Sequence, residues 1–471
     1  MRTRLLWCLL PAMVSAGCAR YQRMPLTDAA VDRAMTAPTP ALIRSRAQEV
    51  RSPLMPAVPI DFDRGLTPDA AAIVAVVANP ALRVERDRHA LGSAQLLQAG
   101  LLPNPTLDFT FDPVTGGNTL GAQTAYSIGP SWEVTALISH EAKVAAARAQ
   151  FESVQLGVAW QEWQFAQAAK KSVYDLVALQ AQLEQAGAVD QRLGGNAKLI
   201  RQAVDAHQRT LIDLAAADAA AQKAHADFLL ARADFRRQQL ALNLSLGFAP
   251  GATIRIASMA LPSRLALPPE RELLAGIETR RLDLLALRRG YESQEQTLRA
   301  AVLSQFPKIV LGFHQASDNT GVQSTGLGVT VDLPIFDRNQ GNIAIQTSTR
   351  QQLFDEYVSR IFEARSAVAQ SLTDIRSITE QIAAAEVAIP LLQELVKTYD
   401  QAIGEHNVDV LSYYAAQNDL AQKRIDLLKL KQLLMDNKIA LEIATGRYLP
   451  DAGSSAPQSP ATQPASAEAR R

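Results

Sequence analysis

Few residues of this sequence have the type and spacing that chemistry requires, and its two cysteines come first. Cys8 and Cys18 both lie within the first eighteen residues, which excludes a disulfide framework, a CxxC redox pair and a cysteine zinc site from the rest of the chain. His207 and His406 stand 199 residues apart, and neither has a second ligand at metal-binding spacing. No nucleophile is patterned with a base, and no glycine pair begins a phosphate loop. We therefore expect no enzyme, no metal site and no cofactor.

The N-terminal segment favours lipid attachment at Cys18. Two arginines precede the apolar stretch Leu5–Val14, which is too short to span a bilayer, and small residues then lead to the cysteine. This pattern resembles a bacterial lipoprotein signal, which implies that residues 1–17 are removed and that Cys18 is acylated, with palmitate among its chains. Ala19 follows in place of the aspartate that retains lipoproteins at the inner membrane, which implies outer-membrane sorting. The alternative is an ordinary secretory signal with an incidental cysteine.

Composition excludes two broad classes of protein. The chain carries 47 basic and 47 acidic residues, whereas an electrostatic nucleic-acid binder needs a surplus of Lys and Arg. With 48% hydrophobic and 20% charged residues, the sequence is too apolar for a disordered protein. No stretch after the signal is long and apolar enough for a transmembrane helix. If this chain crosses a membrane, we expect strands to do so.

The sequence contains a unit of about 200 residues twice. Gly247 and Gly446 each end a helical pattern, and the 199 residues between them equal the spacing of His207 and His406. This period is far longer than that of solenoid repeats. We predict a signal peptide (1–17), a lipid-anchored segment (18–65), a first copy (66–250), a connector (251–268), a second copy (269–449) and a disordered tail (450–471).

Each copy contains two candidate strands, at about 105–134 and about 308–335. In the segment TLDFTF, Leu107, Phe109 and Phe111 alternate with polar residues, and the second copy repeats the alternation. One apolar face and one small or charged face is typical of a half-buried strand. The segments also have about the length that membrane strands need, roughly 9–11 residues.

Very long helices are predicted beside these strands. Apolar residues recur every seventh position from Phe354 to Ile403 in the second copy and from Val144 to Phe165 in the first, which favours coiled-coil packing. From Ala136 to the turn near Val204 such a helix would measure on the order of 100 Å. We expect each copy to pair long coiled-coil helices with two strands, so the fold class is mainly α with a small β part.

Four strands cannot stand alone in lipid, because each open edge would leave backbone N–H and C=O groups unsatisfied. Three chains would supply about 12 strands, whereas two would supply the minimal 8 with little lumen. Closure by three chains would therefore give a 12-stranded β-barrel. Trp132, Tyr126, Phe109 and Phe313 would then lie on the lipid face or in the interfacial aromatic girdle.

Three segments together resemble the TolC-type outer-membrane efflux factors: GLLPNPTLDF (100–109), GVTVDLPIFDRNQGNIA (328–344) and the turn at 399–411. The resemblance implies a homotrimeric duct with a large periplasmic portion, in which the 12-stranded β-barrel in the outer membrane stands on a long periplasmic α-helical barrel. It also implies a periplasmic adaptor (membrane fusion) protein and an inner-membrane pump as partners. The run LPIFDRNQGN (333–342) is similar to the branch that serves heavy-metal and related cation pumps.

The resemblance also implies roles for residues at the periplasmic helical turns. Members of the family narrow there, and carboxylates line the aperture. Asp409 falls on the family's turn pattern, and Asp213 in the first copy is the repeat partner of Ser412. The two aspartates would give one carboxylate per turn, which would favour cations. Gly404, His406 and His207 lie on the turns where an adaptor would make contact.

Alternatives remain open at this stage. The cargo of an efflux duct could be metal cations, or drugs and other small organic molecules. A periplasmic coiled-coil adaptor or scaffold lipoprotein is a further reading, in which the strands form a small soluble domain. The loops at 116–122 and 317–325 would then be unreachable from outside the cell.

Overall fold

The computed structural model describes residues 20–49, 55–56, 58–117, 120–404 and 410–450. The chain divides into two compact units, Met1–Pro38 and Thr39–Arg471. The first contains helix α1, Asp28–Met35, whose N-terminus is capped by the Thr27 side chain. Signal, lipidation and tail predictions for 1–17, Cys18 and 451–471 fall outside the described residues.

The second unit contains a four-stranded sheet and a series of helices, most of them grouped around two very long ones. Its elements are, in chain order, α2 (Pro40–Ala47), α3 (Pro68–Ala78), α4 (Ala81–Gly100), β1 (Thr106–Asp112), β2 (Ala125–Glu133), α5 (Ala136–Asp205), α6 (Leu211–Leu246), α7 (Glu270–Leu274), α8 (Ile277–Arg280), α9 (Leu282–Leu303), β3 (Lys308–Ser317), β4 (Gln323–Asp332), α10 (Gln340–Gly404) and α11 (Val410–Thr445).

The two longest helices are α5, with 70 residues, and α10, with 65. At 1.5 Å per residue they measure about 105 and 98 Å. Helix α10 continues through Pro390, where we expect a kink because proline removes one backbone hydrogen bond. Each long helix is followed by a 36-residue helix, α6 or α11. Helix α5 packs against α6, and α10 packs against α11.

The same cap ends α6 and α11. Gly247 and Gly446 follow these helices with φ of 76° and 59°, left-handed values that glycine adopts without a Cβ penalty. In each case the N–H one residue further on donates to a carbonyl five residues back, from Phe248 to Asn243 and from Arg447 to Glu442. The two glycines that marked the repeat in the sequence therefore have the same structural role.

The buried core of each copy lies where its long helix meets the shorter ones. In the first copy the apolar helix α3 packs against Val173 and Leu176 of α5. In the second, Val368, Ile375 and Ile382 of α10 lie in the core, as their seven-residue spacing predicts. The equivalent pattern in α5, from Val144 to Phe165, is only half-buried. Helix α5 packs against helices on several sides, so its buried positions do not follow one line.

The sheet is a simple meander. Its order is β1-β2-β3-β4, and every neighbouring pair is antiparallel. The central pair joins the two copies, since β2 belongs to the first and β3 to the second. Strands β1 and β4 are the two edges, each with one side unpaired within this chain.

Candidate functional site

All four strands share one apolar face. Directly paired residues of an antiparallel sheet point to the same side, so the register Phe109–Ile128, Trp132–Leu311 and Phe313–Leu327 fixes its membership. Its apolar residues are Leu107, Phe109, Phe111, Tyr126, Ile128, Pro130, Trp132, Ile309, Leu311, Phe313, Leu327, Val329 and Val331. Polar residues occupy the same face only near the hairpin between β3 and β4: Gln315, Ser317, Gln323 and Thr325.

This face is uncovered. Phe109 is 63% exposed and Leu327 is 85% exposed, although aromatic and branched side chains of this size usually pack inside a soluble protein. Tyr126 and Trp132 are half-buried, and the Trp132 indole Nε1–H donates to the Pro103 carbonyl at 2.8 Å. A contiguous apolar patch of this extent marks a surface that another apolar phase or protein covers.

The opposite face of the sheet is polar. It presents Thr106, Asp108, Thr110, Ser127, Ser131, Glu133, Lys308, His314, Thr330 and Asp332. Glycines open space on it, since a Cβ at Gly326 would lie 2.7 Å from the His314 ring. Apolar and polar faces back to back suit a sheet with lipid on one side and water on the other.

The first helical turn is closed by its own hydrogen bonds. His207 has a φ of 59°, a left-handed value that is uncommon for any residue except glycine. The Gln208 N–H donates to the Ala203 carbonyl at 2.7 Å and the His207 N–H to Val204 at 2.9 Å, so His207 holds the place of a C-terminal glycine cap. Its side chain is exposed.

Asp213 takes part in starting the next helix. The Thr210 side chain accepts from the Asp213 N–H, and the Asp213 carboxylate accepts from the Thr210 N–H at 3.0 Å and hydroxyl at 2.9 Å. This reciprocal capping box satisfies two donors that a helix start leaves open. Asp213 is half-buried, and the capping explains its position without reference to an aperture.

The second turn lies mostly outside the described residues. Helix α10 reaches Gly404 and α11 begins at Val410, and residues 405–409 between them include His406 and Asp409. Of the residues predicted at the two turns, the structure therefore describes His207, Asp213 and, at the end of α10, Gly404.

Just behind these turns, an apolar cluster joins the two copies. Leu193, Ala217 and Val396 pack with Tyr413 and Tyr414 of α11. Burial raises the pKa of Tyr414 to about 12, and the neighbouring Tyr413, Asp213 and Asp218 act in the same direction.

Polar contacts between the copies flank this apolar cluster. The Lys223 Nζ donates to Asn418 Oδ1 at 2.7 Å, and Arg192 donates to Gln417 at 3.4 Å. Both bonds run from the first copy to α11, so they hold the two helix pairs together near their turns.

Sequence reasoning missed two residues at the first turn. Leu211 and Ile212, in the first turn of α6, are 74% and 80% exposed. Their only signal in the sequence is an apolar pair directly after a Thr N-cap, where polar residues usually stand. Their exposure adds an apolar spot to the surface beside His207.

The described residues contain neither a metal-binding cluster nor a membrane-spanning helix. No group of three or more His, Cys, Asp or Glu side chains there could hold a metal ion. Within the same part of the chain, every helix is too short or too polar to cross a bilayer.

The chain is similar to known proteins both in part of its sequence and in its fold. Residues 273–447, within the second copy, match the model of the outer membrane efflux protein family. The fold is similar to CusC (19% identity, 85% of this chain and 99% of that chain covered, TM-score 0.70). It is also similar to VceC of Vibrio cholerae (16%, 81% and 97%, 0.69) and CmeC of Campylobacter jejuni (12%, 91% and 94%, 0.68). A search of the curated proteins found no match.

At these identities the structural likeness establishes the fold. The expected class, mainly α with a small β part, is confirmed. The resemblance to TolC-type outer-membrane efflux factors is confirmed as well, by the family match in the second copy and by the fold of the two copies together.

Proposed function

We propose that this protein is the outer-membrane exit duct of a tripartite efflux system. The uncovered apolar face of the sheet carries the proposal, because it spans all four strands and has a polar face behind it. Lipid would cover the apolar face and water would fill the space along the polar one. The duct itself is passive, and the energy for transport comes from its partners.

Closure of the sheet requires further copies of the chain. Strands β1 and β4 have unpaired sides within this chain, and unsatisfied backbone groups in lipid are costly. Three copies joined edge to edge would form the 12-stranded β-barrel, continued by an α-helical barrel built from α5, α6, α10 and α11. Trp132, Tyr126, Phe109 and Phe313 would face lipid or the headgroups.

The helical turns would form the periplasmic end of the duct. We propose that a periplasmic adaptor binds there, at His207, Gly404 and His406, and links the duct to an inner-membrane pump. Asp409 and Asp213 would supply carboxylates to the aperture, tripled by symmetry, and so favour cations. For Asp213 this role has to coexist with its capping bonds to Thr210.

Two finer points belong to the same proposal. We propose that Cys18 is lipidated and anchors the chain to the outer membrane. Metal cations are the cargo that the run 333–342 favours, with drugs and other small organic molecules as the alternative. Deletion of the gene separates the two, since loss of resistance to divalent metals alone supports the first and loss of resistance to drugs alone supports the second.

Reconstitution tests the function directly. The full chain, extracted from membranes in detergent, is expected to be a trimer and to form cation-preferring pores in planar bilayers. A monomer without conductance would exclude the duct. Recovery of the chain from the periplasm without detergent would favour the scaffold reading instead.

A further inference from the structure

We propose that a cavity at the junction of sheet and helices receives the segment Leu333–Phe336 of a second copy of this chain. The inference rests on the proposed function, because it assumes that neighbouring copies close the sheet. It adds which residues of the two copies meet there. We call Leu333–Phe336 the linker knob, since it connects β4 to α10.

The linker knob is strongly apolar and uncovered. Three of its four residues are large hydrophobics: Leu333 and Ile335 are each 65% exposed, and Phe336 is 92% exposed. Among the described residues, few aromatic side chains stand so far out. Water contact over this much apolar surface is unfavourable, and burial against a partner would relieve it.

Hydrogen bonds fix the backbone turn that directly follows the linker knob. Asn339, with a φ of 61°, donates from its side chain to the Ala301 carbonyl at the end of α9 (2.7 Å). Its N–H donates to Asp337 Oδ1 at 2.8 Å, and the Gln340 side chain donates to the Phe336 carbonyl at 3.2 Å. The backbone at Phe336 is therefore held in place, which lowers the backbone entropy lost on binding.

The cavity lies where α4, β2, α5, α9 and β3 come together. It has a volume of about 660 Å³, ample for an aromatic side chain. Its apolar wall includes Leu101, Leu102, Ile138 and Phe306, which are exposed in the single chain, and the half-buried Leu303.

Strand topology brings the linker knob and the cavity together. The sheet is an up-and-down meander, so the end of β4 and the start of β1 lie at the same, helix-proximal, end of the sheet. Pairing β4 of one copy with β1 of the next is antiparallel, as for every other pair in the sheet. Residues 333–336 of one copy then lie beside residues 101–105 of its neighbour.

Charges at the two surfaces are complementary. Lys143 and Lys308 line the cavity, and neither makes an ion pair with any described residue. Asp337 follows the linker knob directly, and it too lacks an ion pair within the described ranges. Glu133 in the cavity and Arg338 beyond the linker knob offer a second pair of opposite sign.

Cross-linking tests the contact in the full-length protein. The variant Leu102→Cys with Phe336→Cys, treated in membranes with a short bismaleimide, is expected to give covalent dimers and trimers on denaturing gels. Cys18 is the only native cysteine beyond the signal, and each single variant controls for reaction through it. The matched control is Leu91→Cys with Phe336→Cys, because Leu91 is 60% exposed on α4 but does not line the cavity. Equal cross-linking of both pairs, or none with the first, would overturn the inference.

A second measurement separates this inference from the proposed function. Native mass spectrometry of the wild type reports whether a trimer exists at all, and a monomer removes the proposed function together with the contact. If the trimer exists, Phe336→Ala is expected to weaken association roughly tenfold or more, whereas Phe336→Leu keeps an apolar side chain and stays close to wild type. Equal trimer stability in both variants would refute the contact between the linker knob and the cavity, and would leave the proposed duct function intact. The cavity would then be filled by lipid or left open.

Discussion

The backbone conformation of His207 shows what one residue contributes at the first turn. A left-handed φ costs a non-glycine residue roughly 1–2 kcal/mol, and here the cost is carried by a histidine that makes the cap after α5. Strained positions persist where surrounding bonds determine them. The His207 side chain is exposed, as are Leu211 and Ile212 a few residues further along the chain. A contact with another protein at this turn would account for the strain being kept.

Replacement of His207 by glycine tests that strain. His207→Gly is expected to slow hydrogen exchange at the Gln208 amide, because the cap forms without a Cβ clash, with a gain of up to about 1 kcal/mol. His207→Ala keeps the clash and serves as control. Equal exchange in the two variants would show that the cap is unstrained.

Tyr414 provides a test by titration. Its phenol is expected to ionise near pH 12, since burial raises its pKa to about 12 from the ordinary value of 10.0. The raised value means that its contribution to stability is complete below pH 10 and is lost as the pH rises towards 12. The difference in ultraviolet absorbance between wild type and Tyr414→Phe isolates this group, and a midpoint near 10 would contradict its burial.

At the level of elements, helix N-termini and strand faces connect the sequence to the proposed function. Asp213 illustrates the first, because its carboxylate serves the capping box of α6 whether or not it also faces an aperture. The sheet illustrates the second, since each strand has an apolar side and a polar side that only the register aligns across four strands.

Two substitutions separate the roles of Asp213. Asp213→Asn keeps an acceptor for Thr210 and removes the charge. The cation preference of the pore in planar bilayers is therefore expected to fall, while the amides of α6 stay protected from hydrogen exchange. Thr210→Val keeps the charge and removes the cap, at a cost of about 0.5–2 kcal/mol. If Asp213→Asn leaves ion selectivity unchanged, the carboxylate is a capping residue only.

The two faces of the sheet respond differently to charge. Val329→Lys, on the apolar face, is expected to cost roughly 2–4 kcal/mol if the face lies in lipid and to reduce the amount of protein in the outer membrane. Thr330→Lys, its neighbour on the polar face, should be tolerated. Membrane fractionation measures both, and equal recovery would place the apolar face away from lipid.

At the scale of the molecule, the two copies are joined by a buried cluster of charges. Lys170 of α5 lies 3.1 Å from Asp69 of α3 and 3.1 Å from Glu442 of α11. The Tyr448 hydroxyl donates to Asp69 at 2.8 Å, and the Leu449 N–H donates to Glu442 at 3.1 Å. The cluster thus fixes the segment after α11 as well as the helices.

Loss of Lys170 is expected to loosen this junction. Lys170→Met removes the cation shared by the partly buried Asp69 and the buried Glu442, and leaves Glu442 with Lys438 at 3.7 Å. Breaking a buried ion pair typically costs about 3–5 kcal/mol, and faster hydrogen exchange in α3 and α11 would report the loss. Lys171→Met is the control, because Lys171 is 43% exposed and such pairs contribute at most about 1 kcal/mol. Similar effects of the two variants would argue against a buried cluster.

Comparison of Lys170→Met with wild type also tests how folding stability depends on pH. Burial opposes the charge on Lys170, but Glu442 and Asp69 outweigh burial and raise its pKa above the ordinary 10.5. Its stabilisation is therefore complete below about pH 10.5 and disappears as the pH rises through the raised pKa. The stability difference between wild type and Lys170→Met should therefore shrink as the pH rises above about 10.5.

Much of the architecture could be predicted from the sequence by itself. Period-two alternation around Phe109 and Phe313 revealed the strands, seven-residue spacing revealed α10, and Gly247 and Gly446 revealed the duplication. These signals are local, because the faces of a helix or strand are set by residues a few positions apart. The resemblance at 328–344 then indicated the fold, and the comparisons confirmed it.

Only the tertiary structure decided which distant residues meet. Asp69, Lys170 and Glu442 are scattered over the sequence, and no local pattern shows that their charges share one buried cluster. The cavity beside Leu102 likewise depends on how whole elements pack. Periodicity reports which side of an element is apolar, but the partner of that side is fixed by the three-dimensional arrangement of the chain.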